Sequence, residues 1–170
     1  LRRYFFVYLY DYYSNLSMYK HFLKPILFRF NPETAHNMIF SALSFARHIP
    51  FARQIMRAIY HRDTPTLEKE VFGINFPNPV GLAGGLDKNG EYYNDMANFG
   101  FGFVEIGSIT PKPQDGNPKP RCFRVPGDKA IINRFGINNM GVKNAVEHLK
   151  KVKAEVIVAA NISKNSTSIN

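Results

Sequence analysis

The feature that most constrains this chain is a rhythm in its second half. "VGLAGG" (80–85) reads as a strand ending on glycines, and a helix is predicted over 91–98. "GFVEIGSIT" (102–110) reads as a second strand, a helix is predicted over 138–151, and "EVIVAANI" (155–162) reads as a third strand. Alternating strands and helices predict a parallel sheet with both faces covered. Ahead of it, "LEKEVFGINFPNP" reads as two short strands joined near Gly73. The stretch from Pro111 to Gly136 is too long for a plain connection, which marks it as functional, and within it "RCFRV" and "AIINRF" predict a small paired ribbon.

The first third has a different pattern. Tyr19, Phe22, Leu23, Ile26, Leu27 and Phe30 fall at helical spacing, with Pro25 placing the start of regular helix near Lys24. "NPET" opens a new helix, with Asn31 as N-cap, Pro32 at the first position and Glu33 in the first turn. That helix is predicted to run to about Arg47. A third, Ala52 to Tyr60, places Ile55, Met56 and Ile59 on one face.

Charge follows the same division. The chain carries +9 overall, and residues 1–60 carry +6 of it, with eight Lys/Arg against Asp11 and Glu33. A basic, aromatic-rich segment calls for an anionic partner, either a membrane surface or nucleic acid. The basic residues sit on apolar-faced helices and no nucleic-acid motif is present, so the expectation is an anionic membrane surface and no nucleic acid. A helical segment packed on its neighbour is the plainer alternative. No stretch reaches the roughly 18 uncharged apolar residues of a spanning helix. One cysteine, Cys122, excludes a disulfide framework, and no Cys/His cluster has zinc spacing, so no metal is expected. Residues 1–17 read as a non-native or upstream extension ahead of Met18, residues 18–64 as the amphipathic helical segment, and 65–170 as the α/β part.

Candidate chemistry gathers at predicted strand ends, where parallel α/β folds place ligands. "NPVGLAGGLDKNGE" packs four glycines around Lys88. The second strand ends in Gly107-Ser108, the third in Asn161, and the long loop adds "NRFGINN" (133–139). Glycines let a backbone lie close to a flat ring, and amides both donate and accept along a heterocycle's edge. A lysine balances a carboxylate or charge developing on a ring. The glycine run lacks phosphate-loop spacing. Each signal has a plain reading too: a turn, a solvated lysine, an N-cap at Asn138 or Asn139.

These stretches, with "GFGFVEIGSITPKPQDGNPKPRCFRV", "INRFGINNMG" and "ANISKN", closely resemble dihydroorotate dehydrogenase over about residues 18 to 165. The helical segment with "NPETAH" resembles the membrane-associated, quinone-reducing class 2 form. The resemblance implies a (β/α)8 TIM barrel, here its first three or so βα units, preceded by a membrane and quinone segment. It implies oxidation of (S)-dihydroorotate to orotate in pyrimidine synthesis, with FMN as hydride acceptor and a membrane quinone as terminal acceptor. Carried over by motif, Ala83, Gly84, Gly85, Lys88, Ser108 and Asn161 would bind FMN. Lys88, Asn133, Arg134, Phe135, Gly136 and Ile137 would bind substrate, and His36 and Arg124 would line the quinone tunnel. Gly84 stands where the family has alanine, Ser163 where it has glycine, and Ser108 where threonine is frequent. The family's serine base lies in a later Asn-x-Ser-Ser-Pro-Asn loop, beyond Asn170. The expectation is therefore an N-terminal part that does not turn over dihydroorotate alone, at the cytoplasmic face of a bacterial inner membrane or, alternatively, at a mitochondrial inner membrane. A non-catalytic membrane-attached fragment or pseudoenzyme is the competing reading, and another FMN barrel enzyme is a third.

Overall fold

A computed structural model describes residues 18–61 and 65–168. The extension expected over residues 1–17 lies outside the described residues. The chain divides into two compact units, one holding residues 1–39 with 122–133 and the other residues 40–121 with 134–170.

In the first unit, Tyr19–Leu23 form a π turn in which the Lys24 N–H donates to the Tyr19 carbonyl. Regular helix α1 (Lys24–Leu27) starts where Pro25 predicts. Proline has no N–H to return to the preceding turn, so the turn ahead of it widens. Helix α2 (Pro32–Ala46), of which residues up to Ile39 belong to this unit, opens as expected, with the Asn31 Oδ1 accepting from the Glu33 N–H at 3.0 Å. The predicted ribbon forms: β5 (Cys122–Val125) runs antiparallel to β6 (Ala130–Asn133), pairing Cys122 with Asn133 and Arg124 with Ile131. Arg124 donates to the carbonyls of Phe30 at 2.7 Å and Leu27 at 3.3 Å, and its guanidinium lies 4.4 Å from the centre of the Phe28 ring. It thereby adds a side-chain donor to carbonyls at and just beyond the end of α1, of which that of Leu27 also accepts from the Phe30 N–H at 3.3 Å.

The second unit contains the parallel sheet. Helix α3 (Ala52–Tyr60) spans the predicted residues. Of its expected apolar face, Ile55 and Ile59 are exposed and Met56 is half-buried. Its other side is tied down: Arg53 and Arg57 pair with Glu155, the latter at 3.6 Å, and the Tyr60 ring packs 5.1 Å from Phe99. β1 (Lys69–Val71) and β2 (Ile74–Phe76) form the hairpin, turning through Phe72 and Gly73 at φ 55° and 75°. Two left-handed residues match the twist of a two-residue hairpin loop.

Strands β3 (Gly81–Leu82), β4 (Phe103–Ile109) and β7 (Ile157–Ile162) form a parallel sheet in the order β3-β4-β7. Helices α4 (Tyr93–Ala97) and α5 (Gly141–Lys151) supply the crossovers. On β4 the pleat sends Val104 and Ile106, both at 0 % exposure, toward one face. There they join Phe40, Tyr93, Met96 and Ala145 in the core, with Leu82, Phe99 and Val158 packed around them. The reading that both faces are covered needs correction. Among the described residues α4 and α5 lie on the Val104–Ile106 face, whereas the other face carries Phe103 and Glu105 and leaves Ala159 and Asn161 of β7 exposed. The alternation of strand and helix dictates parallel pairing but does not say whether helices fall on one side or two.

Boundaries differ from expectation for identifiable reasons. α4 starts at Tyr93 rather than Glu91 because Tyr92 stands at φ −125° and ψ 2°, outside the helical region, while the Asp87 carboxylate accepts from the N–H groups of Glu91 and Tyr92 at 2.9 and 2.8 Å. α5 starts at Gly141 rather than Asn138 because the Asn139 side chain is bonded to Thr110. β3 is two residues long because the chain leaves the sheet after Leu82.

Ile106→Ala should lower the unfolding free energy by about 2–5 kcal/mol, as for other fully buried large-to-small changes. Denaturant titration checks this, and a loss of only a few tenths would show that the β4 face is not the core.

Candidate functional site

The carboxyl ends of the three parallel strands come together. Beyond β3, the Gly85 N–H donates to the Gly107 carbonyl at 2.6 Å, and the Gly107 N–H donates to the Asp87 carbonyl at 2.9 Å. These two bonds splice the glycine run onto the end of β4, although neither residue of the run belongs to a strand. Gly107 has φ 108°, and a Cβ there would stand 2.5 Å from the Asn161 carbonyl oxygen. Glycine is therefore required by both conformation and space.

Side chains complete the join. The Ser108 hydroxyl donates to the Asn161 Oδ1, and the Asn161 Nδ2 donates to the Glu105 Oε1 at 2.7 Å. A Cβ on Gly84 would approach Glu105 Oε1 to 3.0 Å and the Asn161 Cβ to 3.5 Å. So Gly84, Ser108 and Asn161, predicted separately from three strand ends, share one wall with Glu105. Ala83, Gly84 and Gly85 are exposed, and their backbone is open to a ligand.

Lys88 follows the buried Asp87. Burial pushes the Asp87 carboxyl up from its ordinary value of 3.8, opposed by the N–H donors of Tyr92 and Glu91. The Asp87 carboxylate fixes the turn that carries Lys88, and the Lys88 Nζ lies 4.4 Å from the centre of the Phe135 ring. Thus the glycine run and the 134–137 loop meet. Arg134 is exposed and donates to the Pro120 carbonyl at 3.2 Å.

That loop is clamped from outside itself. Gln114 donates to the carbonyls of Gly136 at 3.1 Å and Ile137 at 3.0 Å, and Asn139 donates to Ile137 at 2.8 Å. Ile137 has φ 56°, unfavourable for a β-branched residue by roughly 1–2 kcal/mol. The buried Arg121 donates to the carbonyls of Asp115 and Asn117 at 2.6 and 3.1 Å and lies 5.3 Å from the Phe135 ring. Asn165, also buried, bonds Lys112 through both ends of its amide and donates to Gln114 Oε1 at 3.1 Å.

The remaining expected residues lie in the first unit. Asn133 ends β6 and is exposed, Arg124 binds the end of α1, and His36 is half-buried on α2. Sequence reasoning missed Glu105, Gln114, Arg121 and Asn165. Only Glu105 had a local signal, a lone charge within the apolar run "GFVEIGSI".

The profile of the dihydroorotate dehydrogenase family matches residues 66–170, well over half of the chain. The chain belongs to the dihydroorotate dehydrogenase family. Its relatives include the dihydroorotate dehydrogenase (quinone) of Coxiella burnetii, 51 % identical over 148 residues, which span 86 % of this chain and 41 % of that protein. That of Methylococcus capsulatus is 45 % identical over 151 residues, 89 % of this chain and 43 % of the relative. The crystal structure of Eimeria tenella DHODH in complex with ferulenol superposes with a TM-score of 0.69 at 40 % identity, covering 82 % of this chain and 38 % of the other. The α/β fold is thus that of the dihydroorotate dehydrogenases. The chain spans less than half the length of these relatives.

Asp87 supplies a pH test. Its folded-state pKa lies above the unfolded value, so the native state binds the proton more tightly and stability falls as pH rises from 3.8 through the raised value. The stability advantage of the wild type over Asp87→Asn should therefore be largest below pH 3.8 and shrink toward neutrality. Thermal unfolding of both across pH 3 to 7 (about four units) reads this, and an advantage that grows with pH would contradict it.

Proposed function

We propose that this chain carries the flavin- and substrate-facing part of a quinone-dependent dihydroorotate dehydrogenase, which oxidises (S)-dihydroorotate to orotate. The sheet β3-β4-β7 is read as the first βα units of a (β/α)8 barrel, with residues 65–170 as its N-terminal part. The observation that carries the proposal is the convergence of Gly84, Ser108 and Asn161 on one wall, beside a loop that places Lys88 against Phe135. Identity of 45–51 % to proteins named as quinone-dependent enzymes supports the same reading.

The residues present fit FMN. A shelf without side chains at Gly84, where a Cβ would crowd Glu105 and Asn161, suits the close approach of a flat ring. Ser108 and Asn161 add donors and acceptors at its edge. A bound FMN would supply the hydride acceptor for the substrate and the electron donor for a quinone. Ala83, Gly84 and Gly85 would support it through backbone, with Lys88, Ser108 and Asn161 at its polar edge. Lys88 supplies a fixed positive charge for a substrate carboxylate. Asn133, Arg134, Phe135, Gly136 and Ile137 would form the substrate loop, and the clamps from Gln114 and Asn139 hold its left-handed Ile137 in place before substrate arrives. Such preorganisation lowers the entropy lost on binding.

Residues 18–64 are read as the membrane and quinone segment of a peripheral membrane protein, facing the cytoplasm at a bacterial inner membrane. No helix among the described residues is long and apolar enough to cross a membrane. The segment instead exposes Phe22 and Ile26 in one unit and Phe45, Phe51 and Ile55 in the other, beside the basic residues of the first third. Exposed apolar side chains with flanking cations suit the interface of an anionic bilayer. His36 and Arg124 would face the quinone.

Two measurements test these assignments. The chain should quench FMN fluorescence on binding, and Asn161→Ala should weaken that binding about tenfold, as expected for loss of a hydrogen-bonding side chain from a wall of this kind. Absence of FMN binding would overturn the flavin reading. Separately, the chain should float with vesicles containing phosphatidylserine and release as salt rises from about 0.1 M to 1 M, where screening shortens from about 10 to 3 Å. Equal flotation with neutral vesicles would remove the electrostatic part of the reading.

A further inference from the structure

We propose that Glu105 is a positioning residue, which holds the Asn161 amide in one orientation and so decides which hydrogen-bonding groups the site presents. The proposal rests on the flavin reading above and adds a residue to it.

Glu105 is the one charge in the apolar run of β4, between the fully buried Val104 and Ile106, and its side chain lies on the opposite side of the sheet. An ionised carboxylate only accepts hydrogen bonds. An asparagine amide can turn over, exchanging oxygen for nitrogen at almost no steric cost, and its hydrogen-bond network decides which way it points. Here the carboxylate leaves one choice. The Asn161 Nδ2 donates to Glu105 Oε1 at 2.7 Å, so the Oδ1 is turned to Ser108. The Ser108 hydroxyl must then spend its only proton on that oxygen.

The consequence passes along the wall. With both amide ends engaged, Asn161 keeps one N–H to offer, and Ser108 keeps only acceptor capacity on its oxygen. A ring edge that places an acceptor next to a donor, as flavin does, matches that pattern. If Glu105 could also donate, Asn161 could turn over, Ser108 could reverse, and the pattern would invert. Gly84 provides the room: a Cβ at that position would stand 3.0 Å from Glu105 Oε1, close enough to force the carboxylate to shift.

The test uses the whole chain and two readouts. Glu105→Gln has the same shape but can donate as well as accept, so it frees the amide to turn. In FMN-free protein, the side-chain amide protons of Asn161 should give one sharp, exchange-protected pair by NMR in the wild type. In Glu105→Gln that pair should broaden or split, while the backbone spectrum elsewhere is kept. FMN affinity should fall about tenfold in Glu105→Gln, and at least as far in Glu105→Ala. An unchanged Asn161 amide pair, or FMN affinity within about twofold of wild type, overturns the role of Glu105. A wild-type chain that binds no FMN overturns the flavin reading instead, and this assignment with it.

Discussion

The structure depends on the burial of one face of β4. Val104 and Ile106 are wholly enclosed, and they share one core with Tyr93 and Met96 of α4 and Ala145 of α5. Burying two such side chains contributes several kcal/mol, at about 25 cal/mol per Å² of apolar surface. The same pleat that commits Val104 and Ile106 to the core commits Glu105 to the other side. Its side chain is therefore left outside the core, and the register of β4 with β7 brings Glu105 opposite Ala159, two residues before Asn161. A one-residue slip would bury the carboxylate and expose the isoleucine.

From that strand the site is assembled outward by side chains that bond backbone. Asp87 shapes the turn carrying Lys88, Gln114 and Asn139 clamp the loop at 136–137, and Asn165 ties the segment after β7 to Lys112. In the same unit Arg47 grips Asp95 with two bonds of 2.9 Å from its Nε, and the carboxylate holds its charge still more firmly. Loops built this way have carbonyls and N–H groups satisfied by fixed partners, so they can hold unfavourable backbone such as that of Ile137.

Much of this was legible in the sequence. Asn31 as N-cap, the hairpin turn at Gly73, the ribbon of 122–125 with 130–133 and the parallel strands all rest on local rules: proline geometry, turn chemistry and two-residue alternation. The gathering of Gly84, Ser108 and Asn161 followed from topology, since parallel strands place their carboxyl ends at one rim. Helix starts were less legible. At α4 the start is set by the non-helical backbone of Tyr92, and at α5 by bonds between Asn139 and Thr110, some thirty residues apart.

By itself, the sequence determined which segments are strands and helices, that the strands run parallel, and which glycines, amides and hydroxyls stand at their carboxyl ends. Those properties come from periodicity and from residues that favour or forbid particular backbone angles. Only the tertiary structure decided what those ends touch: that Asn161 lies between a hydroxyl and a carboxylate, that Lys88 faces an aromatic ring, and that a guanidinium braces the loop from behind. Such contacts join residues tens of positions apart, and their geometry is set by how the sheet packs, which no local pattern encodes.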